Sequence, residues 1–275
     1  MIFEFHIPTE PLLAQCVQSI TYVEGYTPSH SIERLLPDGS CNLIIELGDY
    51  PQFLYDNDEL GKKRTCKHAW LSGMQSGFIT ISSGVQTAMM IISFKPFGLY
   101  PLTQVPINEF NDQVVDADLV FGAGVISEFR ELLMAAPDAL SKIGVAERWL
   151  RNRMTEPERL QFEVVRFAVD QIGVNPTRIA LTNLVQRVGY SHQQLIKIFK
   201  KHAGLTPKKY QRVARFNRVL SDLQQTRDID WQQVSYDCGF FDQAHFIKEF
   251  RHFSGLSPSE YAAQAVEYPN YVPVG

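Results

Sequence analysis

The sequence predicts an α+β chain, with a β-rich N-terminal barrel or sandwich with flanking helices followed by an all-α unit. That second unit holds two helix-turn-helix motifs joined by a linker helix. Three observations carry this reading. A segment of the C-terminal half is written twice at fixed spacing. Short apolar runs broken by turns give way to helical periodicity near Val125. The two halves also differ in charge.

Residues 1–120 read mostly as β. Short apolar or alternating segments recur at Ile2–Ile7, Ile20–Val23, Asn42–Leu47, Gln52–Tyr55, Phe78–Ser82 and Gln86–Phe94. Turn chemistry separates them at Pro37-Asp38-Gly39, Gly48-Asp49-Tyr50-Pro51, Asn57-Asp58, Ser83-Gly84 and Pro96-Phe97-Gly98, the pattern of a small barrel or sandwich. Lys62-Lys63-Arg64 reads as an exposed basic loop. From Val125, Ile126, Phe129, Leu132 and Leu133 are spaced for one amphipathic helix, and Val145, Trp149 and Leu150 for another. Phe129, Leu132, Leu133, Val145 and Trp149 offer more apolar surface than two flanking helices need, which points to an association site. The polar run Arg151–Pro157 is the best boundary, giving units at 1–150 and 156–266. Leu160–Ile172 then opens the second unit as a helix.

The repeat pairs Leu195 with Phe246, Lys197 with Lys248, Phe199 with Phe250, Gly204 with Gly255, Leu205 with Leu256, Pro207 with Pro258 and Tyr210 with Tyr261. All seven pairs are 51 residues apart, whereas Gly189 and Gly239 are 50 apart, so the second copy carries one inserted residue. Each copy reads as a short helix, a glycine where the chain must turn sharply, and a second helix. Ser191 and Asp242 are placed to cap those second helices. Leu195, Ile198 and Phe199 point inward in one, Phe246 and Phe250 in the other. Such helices, entered by a tight turn, suit the DNA major groove.

The stretch from about Thr177 to Tyr261 resembles the DNA-binding region of the AraC/XylS family of bacterial transcription regulators. The second copy carries the likeness on Gly239-Phe240, Asp242-Gln243, His245-Phe246, Lys248, Phe250, Gly255, Ser257-Pro258 and Tyr261. Arg215 also stands where the family has arginine. Val185 and Ser235 depart from the usual alanine, Arg251 replaces the commoner lysine, and Ile196 and Ile247 are apolar beside the base-reading positions. Leu36–Ile44 resembles the N-terminal domain of one branch of the family. The resemblance implies double-stranded DNA and RNA polymerase as partners, and a dimer contact for Val125–Leu150 beside the alternative of ordinary packing helices; an activator is expected, with a repressor as the open alternative. The resemblance also implies DNA binding by His192, Gln193, Gln194, Lys197, Lys201 and Arg215, and by Gln243, Ala244, His245, Lys248 and Arg251. For the N-terminal half two readings stand: a small-molecule sensor that also pairs protomers, or a docking domain for a partner protein. Phe3, Phe5, Tyr22, Tyr26, Phe53, Tyr55, Trp70, Phe78 and Phe94, all in the β portion, favour a pocket slightly.

Net charge is −4 over the chain, which looks wrong for a DNA binder until it is divided. Residues 1–155 carry −7 and residues 175–262 carry +6. Phosphate attraction is local, being screened within about 10 Å. Lys197, Lys200, Lys201, Lys208, Lys209, Arg212, Arg215 and Arg218 therefore read as a phosphate clamp. The first residues lack the basic and apolar segments of a signal peptide, and the four cysteines lack paired spacing, which predicts reduced thiols in a cytoplasm. No P-loop occurs, and the seven histidines show no metal-ligand spacing. Cys41 and Cys238 read as buried packing residues. No enzyme, cofactor or metal is expected.

Overall fold

A computed structural model describes the chain except for residues 49, 85–86, 226–229, 265–267, 275 and the side chain of residue 225. Asp49 of the predicted turn, Gln86 at a predicted strand start and Val266 at the predicted end of the second unit lie outside the described residues. The N-terminal half opens with β1 (Ile2–His6), α1 (Pro11–Cys16), β2 (Val17–Tyr26), β3 (Ile32–Leu35) and β4 (Cys41–Glu46). Next come β5 (Gln52–Tyr55), β6 (Lys63–Cys66), β7 (Ala69–Ser72), β8 (Ile79–Ser82) and β9 (Thr87–Phe94). After α2 (Tyr100–Thr103), a 3-10 turn over Ile107–Phe110, β10 (Val114–Asp116) and α3 (Ala117–Phe121), the chain turns helical. α4 (Ala123–Ala135) and α5 (Ala139–Arg153) close this half. The rest is α6 (Arg159–Val174), α7 (Leu181–Val188), α8 (His192–Ala203), α9 (Pro207–Gln225), α10 (Trp231–Asp237), α11 (Gln243–Ser254), α12 (Pro258–Ala262) and a last strand, β11 (Tyr271–Pro273).

Two antiparallel sheets form, one in the order β1-β2-β9-β4-β7-β10 and the other β11-β3-β8-β5-β6. Short strands separated by turns make up the N-terminal half as expected, but the segment expected as a basic loop is not a loop. Lys63-Arg64-Thr65-Cys66 is an edge strand paired with β5, whose exposed side chains carry no apolar alternation to reveal it. β3, β7, β10 and β11 are also beyond the sequence reading. β11 is the unexpected one, since the chain returns after its last helix and pairs Val272 with Arg34.

Alternation along β4 sends Cys41, Leu43 and Ile45 to a core shared with β9 and the helices. On the opposite face, Glu46 lies beside Met89, and Ile44 beside Ile91 and Trp70. Gln52 of β5 donates to Glu46 from the second sheet at 3.3 Å, so these faces look toward each other. In the helical pair, Phe129 stacks on Trp149 with centroids 4.3 Å apart. Phe129, Leu133 and Trp149 are buried, and Val145 is half-buried. Of the five residues expected to form an association surface, only Leu132 is exposed; Leu140 shares a shallow concavity with it. The helices pack back on the sheet more completely than periodicity alone suggests.

The helical half lies directly on the β half. Phe97 meets Phe162 edge-on at 5.1 Å, and Tyr100 packs on His202 at 4.5 Å. Asn217 donates to the Pro37 carbonyl at 2.9 Å, and Asn270 donates to Asn217 and to the Leu36 carbonyl. Tyr261 donates to the Pro269 carbonyl at 2.8 Å, tying α12 to the tail that becomes β11. Among the described residues, no helix is long and apolar enough to cross a membrane.

The packing separates two neighbours on α4. Phe129→Ala is expected to cost about 3–5 kcal/mol and Leu132→Ala less than about 0.5 kcal/mol, read from urea unfolding; equal costs would show the burial assignment to be wrong.

Candidate nucleic-acid interface

Each predicted motif forms, and each turns at a left-handed glycine: Gly189 at φ 72° and Gly239 at φ 68°. A side chain at these angles is strained, and a methyl group at Gly239 would also lie 3.2 Å from Thr177 Cβ. Ser191 caps α8, accepting from the Gln194 backbone, while Gln194 Oε1 accepts from the Ser191 backbone at 3.0 Å. Asp242 caps α11, accepting from the His245 backbone at 2.7 Å. The cap residues hold as read, and the reciprocal use of Gln194 is new. Its Oε1 is committed to the cap, while its amide donors face outward.

With the caps set, the helical period sorts the side chains. Leu195, Phe199, Phe246 and Phe250 are buried, and Ile198 is half-buried. His192, Gln193, Gln194 and Lys197 are exposed on α8, as are Gln243, Ala244, His245, Lys248 and Arg251 on α11. Two of the candidate residues sit elsewhere. Lys201 is half-buried, with its ammonium 4.8 Å over the Tyr100 ring and donating to Gln161 at 3.4 Å. Arg215 is half-buried over the Phe240 ring and donates to the Gly239 carbonyl at 3.2 Å. Burial pulls its guanidinium below the ordinary range. Arg215 thus grips the turn that precedes α11.

The basic cluster after α8 divides in the same way. Lys197, Lys200, Lys208 and Lys209 are exposed. Arg218 pairs with Asp222 at 3.0 Å. Arg212 donates two bonds of 2.8 Å to Glu249 of α11. Burial of Glu249 opposes its charge, but the Arg212 bonds outweigh this and hold its carboxyl below the ordinary range. Arg212, expected on phosphate, is thus engaged by Glu249, and Glu249 and Asn217 escaped the sequence reading, because their partners are far away in sequence and no spacing signals them.

Comparisons with known proteins fall on this segment and on the N-terminal half. A helix-turn-helix domain family matches residues 184–264, and a domain of unknown function (DUF6597) matches residues 5–116. The chain belongs to the AraC/XylS family. Over 77 residues it is 35% identical to the HTH-type transcriptional regulator ArgR of Pseudomonas aeruginosa, covering 28% of this chain and 23% of that protein. The transcriptional regulatory protein HptR of Staphylococcus aureus is 30% identical over 99 residues, 35% of this chain and 38% of that one. The chain thus matches well under half the length of these relatives. An AraC-type regulator structure from Chromobacterium violaceum is 30% identical, covers 38% of this chain and 96% of its own, and has a TM-score of 0.35. ToxT from Vibrio cholerae is 13% identical, covers 88% and 96% and has a TM-score of 0.47.

At the foot of α8, His202 is fully buried and its Nδ1 has no hydrogen-bond partner. Burial pushes its imidazole down to about 4, and the Lys201 charge acts in the same direction. The unfolded ring titrates near 6.5, so unfolded chains bind the extra proton first as pH falls. Stability should therefore be full above about pH 6.5 and decline toward about pH 4. The urea midpoint followed across that window should fall more steeply for the wild type than for His202→Leu; parallel curves would remove His202 from the account.

Proposed function

We propose that the chain is a DNA-binding transcription regulator whose α8 and α11 enter successive major grooves on one face of the duplex. One observation carries this reading. Two capped helices of the same motif, each with a polar exposed face, are held on a single linker helix, α9. Successive grooves lie about 34 Å apart, or 10–10.5 base pairs. Gln193, the amide donors of Gln194, and Lys197 serve the first groove; Gln243, His245 and Lys248 serve the second. Glutamine suits adenine and lysine suits guanine. His192, Ala244 and Arg251 flank these contacts, and the exposed lysines at 200, 208 and 209 meet phosphate. Lys201 and Arg215 act by positioning α8 and the turn before α11.

In this reading residues 1–150 form the control unit and residues 156–266 the DNA-binding unit. An effector site between the two sheets is supported by their facing walls. Trp70, Met89 and Ile91 on one side and Leu54 and Ile81 on the other are only half-buried. The carboxyls of Glu46 and Glu33, which lie on these faces, are raised by burial. Pairing of protomers through α4 and α5 is supported by exposed Leu132 and Leu140, at 50% and 67%. Docking of a partner protein is favoured instead by Phe3 and Phe5, which are exposed on the edge strand β1. RNA polymerase as a further partner, the activator role and a cytoplasmic site of action rest on family membership. An enzymatic role for the cysteines is disfavoured chemically. Burial pushes Cys16 and Cys41 up to about 12 and Cys238 to about 11, away from the thiolate that nucleophilic chemistry needs.

Lys197→Ala and Gln243→Ala should each cost roughly 1–3 kcal/mol on a selected duplex and little on random DNA. Band-shift titrations on both duplexes decide this, and equal losses would reassign both residues to phosphate. Light scattering of the full chain at micromolar concentration should give the mass of two chains, and Leu140→Asp should return the mass of one. A single-chain mass for the wild type would leave the control unit as a sensor without a pairing role.

A further inference from the structure

The second motif carries a side chain that the first lacks. Between turn glycine and helix cap, the first copy has one residue, Tyr190, and the second has two, Phe240 and Phe241. The added residue is thus an aromatic one at the entrance of α11. A hydrophobic residue just before a cap ordinarily packs down on the first turns of its own helix, fixing the angle of entry. Here that role is already filled. Phe240 lies 5.2 Å from Phe246 and 5.7 Å from His245, ring to ring, and Arg215 lies over its other side. Phe241 is left 94% exposed, the most exposed of the large apolar side chains described.

Its surroundings identify what covers it. Phe241 is adjacent to the cap Asp242 and to Gln243 and Ala244 of the first turn of α11, all exposed. It is therefore continuous with the face proposed above to enter the second groove. Further along the same helix the exposed cations Lys248 and Arg251 match phosphate, while the adjacent carboxylate of Asp242 is engaged as the cap by the His245 backbone N–H. In the major groove, the apolar group offered by a base edge is the thymine C5 methyl, and phenylalanine is one of its partners.

We infer that Phe241 is a specificity-determining residue that packs on a thymine methyl at the edge of the second major groove. This rests on the DNA-binding reading given above. Burying one methyl group corresponds to about a fourfold change in affinity. The first motif, with no added residue, makes no equivalent contact.

The test uses the full chain and the duplex that it enriches from a random library. Each thymine in that duplex is replaced in turn by uracil, which removes only the methyl group. For the wild type, one replacement under α11 should weaken binding about fourfold. Phe241→Ala should weaken binding to the unmodified duplex by at least as much and should show no further loss at that one position. Because Phe241 is exposed, an unchanged melting temperature confirms that the variant is folded. A variant that binds like the wild type, or a wild type indifferent to every uracil, overturns the assignment. Failure of the wild type to enrich any duplex would overturn the DNA-binding reading itself, a separate outcome.

Discussion

The two-point clamp of Arg212 on Glu249, with the Phe216 ring beside it, is the contact on which the reading geometry depends. Phe216 stacks on Phe253 at 4.9 Å and meets Phe250 at 5.3 Å, so α11 is fixed to α9 by apolar packing and a doubled charge-assisted bond together. Such bidentate pairs fix orientation as well as distance. On the same helix, Tyr210 packs on Phe199 of α8 at 5.8 Å. One helix therefore sets where both α8 and α11 lie, and in the proposed reading the separation of the grooves they enter follows from it. A second motif on a loose tether would lose the intramolecular advantage of a preset spacing.

How much of this was legible depends on how local each signal is. The repeat gave both motifs, their turn glycines and their caps, because each is determined within a few residues. The expected helix at Leu160–Ile172 lies within one or two residues of α6, whereas α5 begins at Ala139, well ahead of the apolar spacing that starts at Val145. The sheets were read in part. Strands whose apolar residues alternate, such as β4 and β9, were visible, whereas β6 is polar throughout and β11 is a three-residue segment containing Pro273. Among the site residues, exposure followed from periodicity, so nine of the eleven candidates stand on the outward faces. Lys201 and Arg215 differ because their partners, Tyr100 and the Gly239 carbonyl, are brought in by tertiary packing. Charge counting has the same limit: it registers Arg212 and Arg218 as basic but not the carboxylates that face them.

The return of the chain to the β half alters what the two units can do independently. Val272 is completely buried, and Leu36 donates its backbone N–H to the Asn270 carbonyl at 2.8 Å while Val274 donates to the Ile32 carbonyl at 2.9 Å. β11 fills the edge of the second sheet next to β3, an edge that would otherwise present unpaired backbone groups. The same tail is held to α12 by Tyr261 and to α9 by Asn270. The run Arg151–Pro157, read as a boundary, is therefore not all that joins the halves, since strand pairing of the tail with β3 joins them as well.

The contacts of that seam have a direction. Gly204 and Gly255 are matched members of the repeat, and they end α8 and α11 respectively. Both abut the β half. Asn111 donates to the Gly204 carbonyl at 2.6 Å, and a methyl group on Gly204 would lie 2.3 Å from Asn111 Oδ1. At Gly255 a methyl group would lie 2.8 Å from Phe78 Cζ and 3.0 Å from Arg34 Cζ. Each recognition helix is thus seated at its C-terminal end in the N-terminal half and free at the capped end that carries its outward polar face. The first seat is the segment after Ile107–Phe110, next to β10; the second lies on β3 and just before β8. The first seat leads into a strand of one sheet and the second lies on the other sheet, so both sheets contribute to holding the C-terminal ends of α8 and α11. In the proposed reading, the spacing that α9 gives to the two helices is therefore supported from the β half as well.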